Sequence, residues 1–336
     1  MKTALVTGAG GFIGHHLVRR LKKEGYWVRG VDLKYPEYSK SDADDFVIGD
    51  LRNPDLVSKV MFAPNQRFVP DLANSFDLVC TLAADMGGMG YLAGGGADAD
   101  VMHNSGLINL NVAKYASEFG VKKLFYSSSA CIYPMELQET PDNTGLKESD
   151  AIPAHPDLCY GWEKLFSEIL YDAFMRNYAL DVRIARFHNI FGVEGTYDGE
   201  RAKAPAALCR KVALAKDGDE IEVWGDGKQT RSFLYIDECV EGIMRLLQSD
   251  YKQPINLGSD EMVSINDLAE KIIKISGKNL KVKNIHSDKV GVTGRNSDNT
   301  LIKEVLGWSP TQPLEDGLVR TYAWINQQVH NAPKHK

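Results

Sequence analysis

The feature that most constrains this chain lies at its start. Thr7-Gly8-Ala9-Gly10-Gly11-Phe12-Ile13-Gly14 follows an apolar run from Ala4 and opens an amphipathic stretch. Gly8, Gly11 and Gly14 space as GxxGxxG. Glycines between a strand and a helix permit a tight turn and bring backbone amides against a pyrophosphate at the positive end of the helix. A glycine motif alone is weak evidence, and the strand-to-helix context is what gives it weight. Gly8, Gly11, Phe12, Ile13 and Gly14 are therefore the expected dinucleotide contacts.

The rest of the first half keeps the same rhythm. Apolar runs at Ala4–Thr7, Trp27–Val31, Leu78–Leu82, Lys123–Ser127 and Val182–Phe187 read as buried parallel strands. Amphipathic stretches at Ile13–Glu24, Val101–Phe119 and Tyr160–Tyr178 read as the helices between them. This alternation predicts an α/β fold of Rossmann type, a doubly wound parallel sheet that binds ligands beyond its strand C-termini. After residue 188 the segments shorten and Gly and Asp multiply. Residues 231–262 again read as helix then strand. The expected organisation is a dinucleotide lobe over 1–188 plus about 231–262. A smaller, discontinuous substrate lobe takes about 189–230 and 263–333.

Asp32 ends the second strand, where a carboxylate accepts from both hydroxyls of an adenine ribose and repels a 2′-phosphate. NAD is expected over NADP. Asp50 and Leu51 after the third strand, Ala83 and Ala84 after the fourth, and Phe187 at the end of the Val182–Phe187 run are expected beside it.

A formal net charge of −6, with no basic run, argues against nucleic acid or an anionic membrane as partner. An anionic small substrate stays open, since a few arginines can bind a phosphate in an acidic protein. The N-terminus is strand-like rather than a signal peptide, and no apolar stretch approaches a bilayer's span. The five cysteines have no CxxC spacing, so neither a disulfide framework nor a metal site is expected. A cytoplasmic location follows as the expectation.

Tyr160 and Lys164 form YxxxK, on one face of a helix. An ammonium beside a tyrosine lowers its pKa, and a phenolate can accept a hydroxyl proton as hydride leaves the carbon. The motif starts the helix after Ser127-Ser128-Ser129-Ala130-Cys131-Ile132-Tyr133. Glycine motif, serine-rich strand end and YxxxK together resemble the extended short-chain dehydrogenases. That resemblance implies oxidation of a sugar hydroxyl by Tyr160 and Lys164 with, from the serine run, Ser129.

A narrower match runs in order along the chain: LAADMGGMG (82–90), SSACIYP (128–134), RFHNIFG (186–192), KAPAALCRK (203–211), WGDGKQTRSF (224–233), IDECVEG (236–242), NLGSDEMVSIN (256–266) and GRNSDN (294–299). These blocks resemble the GDP-mannose 3,5-epimerases. The chemistry suits them: a ketone at C4 makes C3 and C5 acidic, and inversion needs a base on one face and an acid on the other. The resemblance implies that Cys131 and Lys211 form this pair. A thiolate acts as base where a cation lowers its pKa, and a buried lysine as acid. In related dehydratases an acidic residue takes the place of Cys131. The resemblance further implies substrate contacts from Gly87, Gly88, Ser129, Ala130, Asn189, Lys203, Gln229, Arg231, Ser232 and Arg295, with the two arginines on the diphosphate. It also implies a homodimer built on helices 101–119 and 160–178. His188 has no partner spacing for a metal and reads as packing or cofactor-side.

Two other readings stay open: a 4-epimerase or 4,6-dehydratase of the same fold, and a non-catalytic NAD-binding regulator. The intact Tyr160 and Lys164 weigh against the latter. Two segments depart from the resemblance, Phe62–Ser75 as an insertion and the glycine-rich Ala93–Ala99. The polar Asn331–Lys336 is expected to fray.

Overall fold

Seven short runs pair into one parallel sheet, whose central strands are buried on both faces and need helices to cover them. A computed structural model describes residues 1–63, 75–93, 96–142, 145–287 and 290–331. The strands of the first half are β1 (Thr3–Thr7), β2 (Trp27–Asp32), β3 (Asp45–Ile48), β4 (Leu78–Thr81), β5 (Leu124–Ser129) and β6 (Val182–Phe187). The helices between them are α1 (Phe12–Lys23), α2 (Pro54–Val60), α3 (Met89–Leu92), α4 (Asp98–Glu118) and α5 (Cys159–Tyr178). Every residue of β1, β4 and β5 is buried.

Beyond residue 188 follow β7 (Ile190–Phe191), α6 (Ala204–Leu214), β8 (Glu220–Trp224), β9 (Thr230–Ser232), β10 (Leu234–Tyr235) and α7 (Ile236–Gln248). Then come β11 (Ile255–Leu257), β12 (Met262–Ser264), α8 (Ile265–Ser276), β13 (Lys281–Ile285), β14 (Gly294–Arg295), α9 (Thr300–Leu306) and α10 (Leu314–Asn331). The sheet order is β11-β6-β5-β4-β1-β2-β3, all parallel. The order reverses between β1 and β4, and a doubly wound sheet opens its ligand crevice at such a point. The chain does return to the sheet late, as β11 pairs with β6. Elsewhere β8 pairs with β13, and β9 lies between β12 and β14.

Alternation along β1 divides the core. Ala4 and Val6 face one apolar cluster with Leu17, Val18 and Leu21 of α1. Leu5 faces the other with Val112 of α4 and Tyr171 of α5.

Element ends differ from the sequence reading in ways that have causes. α4 begins at Asp98, three residues early, with Asp98 and Asp100 in its first turn, where acidic groups favour the helix dipole. β5 runs on to Ser129 because its serines are buried between neighbouring strands. α2 was not read at all, although Asn53 caps it through Asp55 N and Pro54 opens it. Of the two departing segments, residues 64–74 and Gly94-Gly95 lie outside the described residues, as do residues 332–336 at the C-terminus.

Candidate active site

A cavity of about 990 Å³ runs from the C-terminal ends of β1, β2 and β4 toward β8 and β9. Each expected cofactor residue lines it: Gly8, Gly11, Phe12, Ile13, Gly14, Asp32, Asp50, Leu51, Ala83, Ala84, Tyr160, Lys164 and Phe187. Gly8 has φ +72°, and a Cβ there would sit 2.7 Å from Ala83 N. A Cβ on Gly14 would lie 2.1 Å from Gly8 O, so only glycine lets α1 pack this closely on β1. On Gly11 it would meet nothing nearer than Gly8 O at 3.3 Å and would fill the cradle above the helix. No side chain caps Gly11, so the first-turn amides, which have no intrahelical acceptor, remain available to an anion.

Asp32 accepts from Gly10 N at 3.0 Å and Lys34 N at 3.3 Å, which fixes its carboxylate beside the cavity. Burial pushes its pKa up against these bonds. Asp50 is gripped by Arg52 through Nε at 2.9 Å and Nη2 at 2.6 Å, which holds its carboxyl below the usual range. These residues fit a dinucleotide with free ribose hydroxyls.

At the reaction centre, Ser129 lies against the Tyr160 phenol and favours its ionised form, and Lys164 Nζ donates to Ser127 O at 2.9 Å. Nζ lies 5.7 Å from the Tyr160 ring centroid. The expected lowering of the phenol by this ammonium is not seen. Burial and the Cys131 charge hold Tyr160 above its ordinary value, with only Ser129 opposing. Burial lowers Lys164 as well.

Cys131 follows Ser129, whose Oγ accepts from Cys131 N at 3.2 Å. Arg295 Nη1 donates to Cys131 Sγ at 3.1 Å. The charges of Arg231, Lys203 and Lys164 also act on this sulfur. Arg231 donates to Thr230 O at 2.7 Å and Val292 O at 2.6 Å; burial and then the Arg295 charge pull its pKa down to about 9. Two guanidiniums this closely coupled favour an anion between them.

Lys211 does not join this group, which corrects the expected pairing. Its Nζ donates to Glu222 O at 2.7 Å, and Glu222 is the charge acting on it after burial. Lys203 immediately precedes α6, whereas Lys211 lies eight residues on, about 12 Å along the axis. Lys203 is the lysine whose charge couples to Cys131, and burial lowers its pKa. Lys211 still lines the cavity.

Ser232 is a second correction. It is fully buried, its Oγ has no partner among the described residues, and it does not line the cavity. Alternation along β9 sends Arg231 to the cavity and Ser232 to the opposite face. The remaining expected substrate residues, Gly87, Gly88, Ala130, Asn189 and Gln229, do line it. Asn189, at φ +45°, donates to Ser232 O at 3.0 Å, and Gln229 Nε2 to Trp224 O at 3.0 Å. A Cβ on Gly88 would lie 2.4 Å from Ala202 O. His188 is a packing residue, bonded to Asn256 at 3.0 Å and driven down to about 3 by burial.

Sequence reasoning missed Asp157, Gln138 and Arg201. Asp157 pairs with Arg295 at 3.4 Å, and Gln138 Oε1 accepts from Arg295 Nε. Arg201 binds Met86 O at 2.7 Å and Asp85 at 3.2 Å and covers the Tyr91 ring at 3.9 Å. It ties the Gly87-Gly88 turn to the segment before α6. None of the three has a spacing signal, because each partner is more than 110 residues away or on another loop.

The sequence pattern of the NAD dependent epimerase/dehydratase family matches residues 4–258, from β1 through β11. The chain belongs to that family. Among members of the family, GDP-mannose 3,5-epimerase 1 of Oryza sativa subsp. indica is 48% identical over 326 residues, 96% of this chain and 82% of the relative. GDP-mannose 3,5-epimerase of Arabidopsis thaliana is 47% identical with the same coverage. The UDP-glucuronic acid 4-epimerase from Bacillus cereus, solved with UDP-glucuronic acid and NAD, superposes with TM-score 0.79 at 26% identity, covering 97% of this chain and 99% of that one. The family model and the Bacillus cereus structure both point to NAD as the cofactor of this site.

Proposed function

We propose that this protein epimerises GDP-mannose at C3 and C5, giving GDP-L-galactose and, from inversion at C5 alone, GDP-L-gulose. The observation that carries this is Cys131, held by Arg295 beside the Ser129–Tyr160–Lys164 group. A thiol in that position suits carbon deprotonation next to a C4 ketone, and the two relatives at 47–48% identity are named for this reaction. NAD, which the Gly8–Gly14 turn and Asp32 would hold, would supply reversible hydride transfer at C4 when bound.

The chain's own residues do the rest. Tyr160, with Ser129, accepts the C4 hydroxyl proton, and Lys164 is anchored to Ser127 O behind it. Cys131 removes the proton at the carbon next to the ketone. Lys203, rather than Lys211, returns one, since Lys203 is the lysine coupled to the sulfur and burial makes it a better acid. Arg231 meets the substrate's negative charge and Arg295 holds Cys131 at the sugar end, while Gly87, Gly88, Asn189, Gln229 and Lys211 line its path.

The lobe division is supported by the return of β11 to β6. A homodimer is supported by the apolar stripe of Trp162, Phe166 and Ile169 on α5, between 43% and 56% exposed, beside Met102 and Leu110 on α4. No helix among the described residues is long and apolar enough to cross a membrane. Free thiols at all five cysteines support a reducing, cytoplasmic setting.

The test is incubation with GDP-mannose in deuterated water, read by NMR. Deuterium at C3 and C5 with a GDP-L-galactose signal is expected. Absence of exchange at either carbon in NAD-loaded enzyme would remove the substrate assignment.

A further inference from the structure

Asp157 takes no part in the steps assigned above, yet it stands at the sulfur end of the cavity. It precedes Tyr160 by three residues, in the turn into α5. Its side chain is 9% exposed and it lines the cavity. Oδ2 lies 3.4 Å from Arg295 Nη2, on the guanidinium that presents Nη1 to Cys131 Sγ at 3.1 Å. Gln138 takes the remaining Nε of that arginine. Oδ1 is different: it is buried and has no hydrogen-bond partner among the described residues.

A buried carboxylate oxygen without a donor is unfavourable and marks a place where a ligand donor is missing. A diphosphate cannot fill it, since phosphate oxygens accept and their charge would be repelled. Hexose hydroxyls donate, and the nearest reactive groups, Cys131 and Tyr160, belong to the sugar end. We infer that Asp157 is a sugar-positioning residue whose Oδ1 accepts a hydrogen bond from a non-reacting hexose hydroxyl, that on C2 or C6. This rests on the reading of a GDP-hexose as substrate with its sugar beside Cys131.

The experiment uses NAD-loaded full-length enzyme carrying Tyr160→Phe, which prevents turnover without touching the Asp157–Arg295–Cys131 chain. Calorimetry compares GDP-mannose with its 2-deoxy and 6-deoxy analogues. A hydrogen bond to a charged acceptor predicts that one analogue binds about tenfold to 100-fold more weakly. Asp157→Asn in the same background should weaken GDP-mannose similarly and that analogue by less than about threefold. If both analogues bind within about twofold of GDP-mannose, the assignment falls, with no substitution at position 157 involved. If GDP-mannose does not bind at all, the substrate reading falls and takes the assignment with it.

Discussion

At the residue scale the site is decided by which cation reaches the Cys131 sulfur. Arg295 reaches it directly, Lys203 couples to it, and Lys211 is held by Glu222 O. Lys203→Ala should therefore lower kcat by about 10²- to 10⁴-fold, the usual worth of a positioned proton-transfer group. Lys211→Ala should act mainly on KM. Steady-state kinetics on the two variants decides between them, and equal losses in kcat would restore Lys211 to the chemistry. Cys131→Ser should keep bound NAD, seen by absorbance after denaturation, and lose solvent deuterium incorporation at the sugar carbons. Retained incorporation would show that another group is the base.

The element that matters most is the β1–α1 turn. Gly14 stands where an added Cβ would lie 2.1 Å from a backbone oxygen, so Gly14→Ala must push α1 away from β1. Overpacking of this kind costs about 1–3 kcal/mol and tilts the first-turn amides off the pyrophosphate. The expected result is a lower melting temperature together with loss of co-purifying NAD; a variant that melts and binds like the parent would refute the close-packing argument. α5 carries two duties, Tyr160 and Lys164 on its buried face and Trp162, Phe166 and Ile169 outside. Phe166→Asp with Ile169→Asp should leave the fold intact and convert a dimer of twice 37.3 kDa to monomer by light scattering. A monomeric parent would refute the dimer.

At the scale of the whole molecule, two buried histidines couple stability to pH. His15 is lowered to about 4 and His188 to about 3, in both cases chiefly by burial. The unfolded chain binds these protons at the ordinary histidine value, near pH 6.5. Their contribution is complete above that value and is lost as pH falls toward 4 and then 3, by up to about 1.4 kcal/mol per unit per group. Melting temperature should therefore drop on acidification below about pH 6.5, and His188→Gln should flatten the drop. An unchanged slope would mean that carboxylates carry the acid limb instead.

The sequence by itself determined the doubly wound sheet, the glycine turn between strand and helix, and the shared helix face of Tyr160 and Lys164. These are local patterns: periodicity fixes strands and helices, and i, i+4 spacing fixes a helix face. Cys131 was reached only through the resemblance of the ordered blocks to the GDP-mannose 3,5-epimerases. Tertiary structure alone decided which lysine couples to that sulfur, because Lys203 at the start of α6 and Lys211 inside it sit in one block but about two turns apart. It also turned Ser232 away from the cavity by strand alternation. Only the fold could bring Asp157 to Arg295 across 138 positions and Arg201 to Asp85 across 116, since a side-chain contact between distant loops leaves no spacing for a sequence to show.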